Sequence, residues 1–136
     1  MKVQVIYFSR KGSTKKIAYA IASELKIEAE DVKKAILNES AFVFLGSGNY
    51  GGRPGKEMIQ FIEENDFTNV ALFGTSGGGI GKEVEEMEKQ LHAKNVTVVD
   101  RFFCKGKFGL INRTKPSNED IAEVKKFVKK MMNKAN

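Results

Sequence analysis

Short apolar runs alternate with helix-spaced segments along the whole chain. Val3–Phe8, Ala41–Leu45, Val70–Phe73 and Val96–Val99 are near-continuous and rich in Val and Phe. Such runs read as strands covered on both faces, the pattern of a parallel sheet. Between them the apolar positions take helical spacing. Ile17, Ile21 and Leu25 share one face, as do Met58 and Ile62 with Ile59 beside them, then Val84, Met87 and Leu91, then Ile121, Val124, Val128 and Met131. The last of these segments opens with Ser117 and Asp120 in capping-box spacing, just after Pro116. A further strand near Lys26–Glu28, followed by a short helix through Asp31–Leu37, completes the alternation. Strands alternating with helices predict an α/β fold, a doubly wound sandwich around a parallel sheet.

Glycines mark one edge of that sheet. All 13 follow a predicted strand and precede the next helix, and none falls in a helix-to-strand return. If glycine served only as a good turn former, both kinds of connection would carry it. Strand-to-helix loops of a parallel sheet gather at the strands' carboxyl ends, where open α/β sheets bind ligands. The first loop, Ser9-Arg10-Lys11-Gly12-Ser13-Thr14, opens a helix, and free N–H groups there favour an anion. It has neither Walker nor dinucleotide spacing. Lys11, Lys15 and Lys16 oppose the helix dipole, at about 0.3–1 kcal/mol each, which points to a compensating anion. The second loop, Ser47-Gly48-Asn49-Tyr50-Gly51-Gly52, sets an aromatic among glycines. Tyr50 either stacks on a planar ligand or packs over its own loop. The third loop, Thr75-Ser76-Gly77-Gly78-Gly79, presents bare backbone to the same place.

These residues resemble a short-chain flavodoxin over nearly the whole chain. The resemblance rests on Val5-Ile6-Tyr7-Phe8-Ser9 leading into Gly12-Ser13-Thr14, on Phe44-Leu45-Gly46-Ser47 before the Tyr50 loop, and on Val70-Ala71-Leu72-Phe73-Gly74-Thr75 followed by Gly77, Gly79, Gly81 and Lys82. It implies a three-layer sandwich with five parallel strands in the order 2-1-3-4-5. It also implies FMN, with the phosphate in the Ser9–Thr14 loop, the isoalloxazine between the Tyr50 and Gly77 loops, and one-electron transfer as the activity. Three positions depart from the family's habit. Lys11 stands for a hydroxyl residue, Gly78 for an aromatic that stacks on the ring, and Arg53 for a carboxylate.

Composition and charge narrow the picture further. The 136 residues, 41% hydrophobic and 29% charged, fit one globular domain spanning 1–136. One Cys excludes a disulfide framework and a Cys-rich zinc site. Cys104 reads as a packed thiol, with redox involvement as its alternative. His92, the sole histidine, lies late in a helix and supports no triad or metal site. No apolar run approaches the length of a membrane span, so a cytoplasmic protein is expected, as a monomer or weak dimer. The net charge is +6, and the stretches 9–14, 46–56, 74–82 and 104–116 contain no Asp or Glu. An acidic redox protein is therefore the expected partner. A flavin-free nucleotide- or nucleic-acid-binding module and a small FMN-dependent reductase or activator are the alternative functions.

Overall fold

The computed structural model describes residues 1–108 and 112–135, so Gly109 of the glycine set lies outside the described residues. Five strands, β1 (Val3–Phe8), β2 (Ala29–Asp31), β3 (Phe42–Gly48), β4 (Asn69–Ser76) and β5 (Val98–Lys105), form one sheet in the order β2-β1-β3-β4-β5. All its pairings are parallel. Four helices, α1 (Ser13–Leu25), α2 (Lys56–Glu64), α3 (Lys82–His92) and α4 (Asn118–Ala135), cover both faces.

The period-two geometry of the strands splits the apolar runs into two cores. Val5 and Tyr7 of β1, Phe42 and Phe44 of β3, and Ala71 and Phe73 of β4 face α1 and α4. Ile6 and Phe8, Val43 and Leu45, and Val70 and Leu72 face α2 and α3. Near the carboxyl ends the strands give up bulk. A Cβ on Gly46 would collide with the Phe73 ring, and beyond the strand one on Gly55, at the start of α2, would collide with the ring of Phe8. The Ser117–Asp120 box forms as expected. The Ser117 N–H donates to the Asp120 carboxylate at 2.8 Å and the Asp120 N–H to Ser117 Oγ at 3.2 Å.

The second strand differs from expectation. It occupies Ala29–Asp31 rather than Lys26–Glu28, because α1 uses those earlier residues to end itself. Lys26 takes a left-handed conformation with φ 58°, and the Ile27 N–H donates to the Ala22 carbonyl at 3.0 Å. No helix forms through Asp31–Leu37, which holds only a short turn. The Val32 N–H bonds the Tyr7 carbonyl at 2.8 Å. Gln4 then grips the segment, donating to the Ile36 carbonyl at 3.0 Å and accepting the Asn38 N–H at 2.9 Å. These long-range bonds satisfy backbone groups that a helix would otherwise have paired.

Thr14 at the start of α1 and Thr75 near the end of β4 are both buried. Their hydroxyls lie 2.8 Å apart and tie the first helix to the sheet's carboxyl edge. Thr14→Val should cost about 1–3 kcal/mol, because it strands the buried Thr75 hydroxyl. The Thr14→Val/Thr75→Val double variant should recover much of that loss. Urea unfolding of the four proteins reads the coupling, and strictly additive costs would contradict the pairing.

Candidate functional site

At the first loop, the Ser9 hydroxyl accepts the Gly12 N–H at 3.0 Å, and Gly12 takes φ 99°. α1 then begins without a side-chain cap. Among the described residues the N–H groups of Ser13, Thr14 and Lys15 meet no acceptor. Ser13 Oγ accepts the Lys107 N–H at 2.9 Å, which brings the loop after β5 against the first. That approach needs Gly106, where a Cβ would lie 3.0 Å from Ser13 Cβ and 3.1 Å from Thr75 Cβ. The cleft enclosed here holds about 120 Å³, and Ser9, Lys11, Ser13, Thr14, Thr75 and Lys107 contribute to its walls. Two of the three expected cations point elsewhere. Lys16 Nζ donates to the Pro116 carbonyl at 2.7 Å, and Lys15 Nζ sits 5.4 Å from the centre of the Tyr19 ring. Lys11 remains at the cleft, and Lys107 joins it.

The second loop is closed by its own polar side chains. Buried Ser47 accepts the Gly55 N–H at 2.9 Å and donates to the Gly48 carbonyl at 2.9 Å. Asn49 accepts the Gly52 N–H at 2.8 Å, holding Gly51 and Gly52 at φ 66° and 86°, where glycine carries no Cβ penalty. Tyr50 lies back across the first loop. Its ring packs edge-on against Phe8 at 5.7 Å, the Arg10 guanidinium stands 4.3 Å from its centre, and its hydroxyl accepts the Arg10 N–H at 3.0 Å. Burial raises the Tyr50 phenol above its ordinary pKa, against the opposing pull of Arg10.

The third loop meets the fourth. Ser76 Oγ accepts the Gly79 N–H at 2.8 Å, and the Ser76 carbonyl accepts that of Gly106 at 2.8 Å. The Phe108 ring lies over Gly77, 3.2 Å from where a Cβ would stand, whereas among the described residues nothing lies within 4 Å of where a Cβ on Gly78 would stand. Between the second and third loops runs a slot of about 560 Å³. Gly51 and Gly52 line one side, and Gly77, Gly78, Ile80 and Phe108 the other. Asn49, Ser76, Gly77 and Phe108 border both this slot and the smaller cleft, so the two adjoin. A larger groove of about 650 Å³ runs beside α2, but it mixes Arg53 and Lys56 with Glu63 and Glu64 and lacks the glycine walls.

The residues fit FMN. Backbone N–H groups, serine hydroxyls and Lys11 suit a phosphate, and the glycine-walled slot suits a flat ring. When bound, a flavin supplies the capacity to take and release electrons. Three residues outside the sequence-derived site belong to this region. Ile80 and Phe108, each 63% exposed, flank the slot. Glu83 is fully buried at the start of α3, where its carboxylate accepts the Asn49 side-chain N–H at 3.0 Å. In sequence Phe108 shows only as an aromatic among basic residues, and Glu83 reads as an ordinary acid in a first helical turn.

Elsewhere the chemistry is sparse. Burial pushes the Cys104 thiol up to about 12, which keeps it protonated. Among the described residues no His/Cys/Asp/Glu group could hold a metal ion, and no helix is long and apolar enough to cross a membrane. Of the edge cations, Arg53 pairs with Glu86 at 3.1 Å and Lys115 with Asp120 at 3.7 Å.

Comparison with known proteins agrees with this geometry. The chain is 33% identical over 145 residues to the flavodoxin-like domain-containing protein BilS of Clostridioides difficile, covering 90% of this chain and 81% of that protein. A solved flavodoxin from the domain Archaea superposes with a TM-score of 0.78 at 22% identity, over 98% of each chain. A Lactobacillus acidophilus flavoprotein solved in complex with FMN gives a TM-score of 0.60 at 19% identity, over 77% of this chain and 93% of its own. The sequence pattern of the flavodoxin domain matches residues 4–133, and the chain belongs to that family.

Proposed function

We propose that this chain binds FMN and carries electrons between redox proteins. The observation that carries the reading is the adjacency of two unlike spaces, which share Asn49, Ser76, Gly77 and Phe108 in their walls. One is a small cleft of helix N–H groups, hydroxyls and lysines, and the other a slot walled by glycine backbone. A phosphate suits the first, for the reasons that make helix N-termini anion sites. A planar ring suits the second, which the exposed Phe108 side chain borders. The FMN-bound flavoprotein of the same fold supports the assignment by analogy.

The partner follows from charge. Lys82, Lys105 and Lys107 neighbour the exposed side chains of Ile80, Phe103 and Phe108 along the chain, so apolar groups stand among basic ones. Such a surface suits an acidic electron-transfer protein, which the field would steer toward the slot.

Two outcomes are expected. Titrated by flavin fluorescence, FMN should bind at least about tenfold more tightly than riboflavin, the phosphate being worth about 1.5 kcal/mol or more. Lys11→Ala/Lys107→Ala should remove most of that preference while leaving riboflavin affinity unchanged. Equal affinities in the wild-type protein would contradict the phosphate assignment. In stopped-flow exchange with an acidic ferredoxin-type protein, the rate of the FMN-loaded chain should fall steeply with added salt. Lys105→Glu should slow it at low salt, and a rate rising with salt would contradict the acidic partner.

A further inference from the structure

Glu83 places a carboxyl group where the fold offers it little. It is fully buried on the α2/α3 side of the sheet, and Oε2 takes the space that a Cβ on Gly74 would need. Oε1 accepts the Asn49 N–H at 3.0 Å, but Oε2 meets no partner among the described residues. A charge buried without compensation is costly. The groups able to bias it are few. Glu85 on its own helix opposes its ionisation. β4 contributes uncharged Gly74, the second loop contributes the Asn49 amide, and Cys104 on β5 is a neutral thiol. No cation pairs with it among the described residues. Burial accordingly raises its pKa, with the Asn49 bond and the residue's own backbone N–H pulling the other way.

Asn49 extends the reach of this carboxyl. Its Nδ2 donates to Glu83 while its Oδ1 accepts the Gly52 N–H at 2.8 Å. Gly52 belongs to one wall of the slot, and the other wall runs through Gly77 and Gly78 into α3, which carries Glu83. The pair therefore joins both walls.

We propose that Glu83 is the positioning residue of the slot, fixing the Gly51–Gly52 wall through Asn49, and that its charge state tunes how readily flavin held there is reduced. This rests on the flavin reading above. An ionised Glu83 sets a negative charge beside the slot, inside a low dielectric, and opposes the arrival of electrons. The protonated group does not.

The test compares wild type with Glu83→Gln, Glu83→Ala and Asn49→Ala. In the flavin-free proteins, NMR hydrogen exchange at the Gly52 amide should quicken by about tenfold or more in Glu83→Ala and Asn49→Ala. It should stay near wild type in Glu83→Gln, whose side-chain oxygen still accepts from Asn49. Because a raised carboxyl pKa favours the fold below the unfolded value, wild-type stability should decline relative to Glu83→Gln as pH rises through the folded value. Loaded with FMN, wild type and Glu83→Gln should share a midpoint potential wherever the pH keeps Glu83 protonated. Once pH rises far enough to ionise Glu83, wild type should become the harder to reduce. Superposable potentials at every pH overturn the tuning, and unchanged Gly52 exchange in Asn49→Ala overturns the positioning even if Glu83→Ala does not fold. A wild-type chain that takes up no FMN removes the flavin reading and the tuning with it, while Gly52 exchange still decides the tie.

Discussion

A parallel strand can rejoin its sheet only by crossing over one face, so each strand-to-helix turn emerges on the same edge. Everything at the site follows from that convergence. Four loops, after β1, β3, β4 and β5, must share one small area, and their backbones approach each other closely. Gly106 passes against Ser13 and Thr75 because it has no Cβ, and Gly74 leaves room for Glu83. The polar groups crowded together there then bond one another. Thr14 pairs with Thr75, Ser13 with the Lys107 backbone, and Asn49 with both Gly52 and Glu83. A cluster of loops thereby becomes a framework that can present N–H groups in fixed directions.

The electrostatics of this edge have two layers. On the surface, Lys11 and Lys107 stand at the cleft by the positive end of α1, a combination that attracts anions and carries a cost without one. Beneath it, Glu83 is the buried carboxyl bonded to the second loop, and Arg53 on the rim is tied to Glu86 of α3. The outer layer governs what approaches, and the inner one governs the shape and field of the slot. Among the described residues nothing stands where a Cβ on Gly78 would be, and Phe108 supplies an aromatic from a different loop.

Much of the architecture was legible because burial on two faces leaves a plain mark. β1 runs over the very residues its apolar run marked, and the four helices lie where their spacing put them. The glycines located the edge because close backbone approach demands them. What stayed hidden depends on partners distant in sequence. The segment after β2 has local spacing compatible with a helix, yet Gln4, more than thirty residues away, holds its backbone open. Lys15 and Lys16 share a motif with Lys11, but α1's rotation turns them toward Tyr19 and Pro116. Glu83 lies in a polar helix start, and only the Gly74 surface beneath it makes it a buried group.

The central claim is that a flavin phosphate rests on the first turn of α1 and its ring lies between the glycine walls. Purification of the full chain followed by its visible spectrum, before and after reconstitution with FMN, tests this most directly. The account predicts a yellow protein, or a colourless one that acquires a resolved, protein-perturbed flavin spectrum at one equivalent and melts at a higher temperature. A colourless protein whose melting is unmoved by saturating FMN, with the flavin spectrum unchanged from free solution, would contradict it.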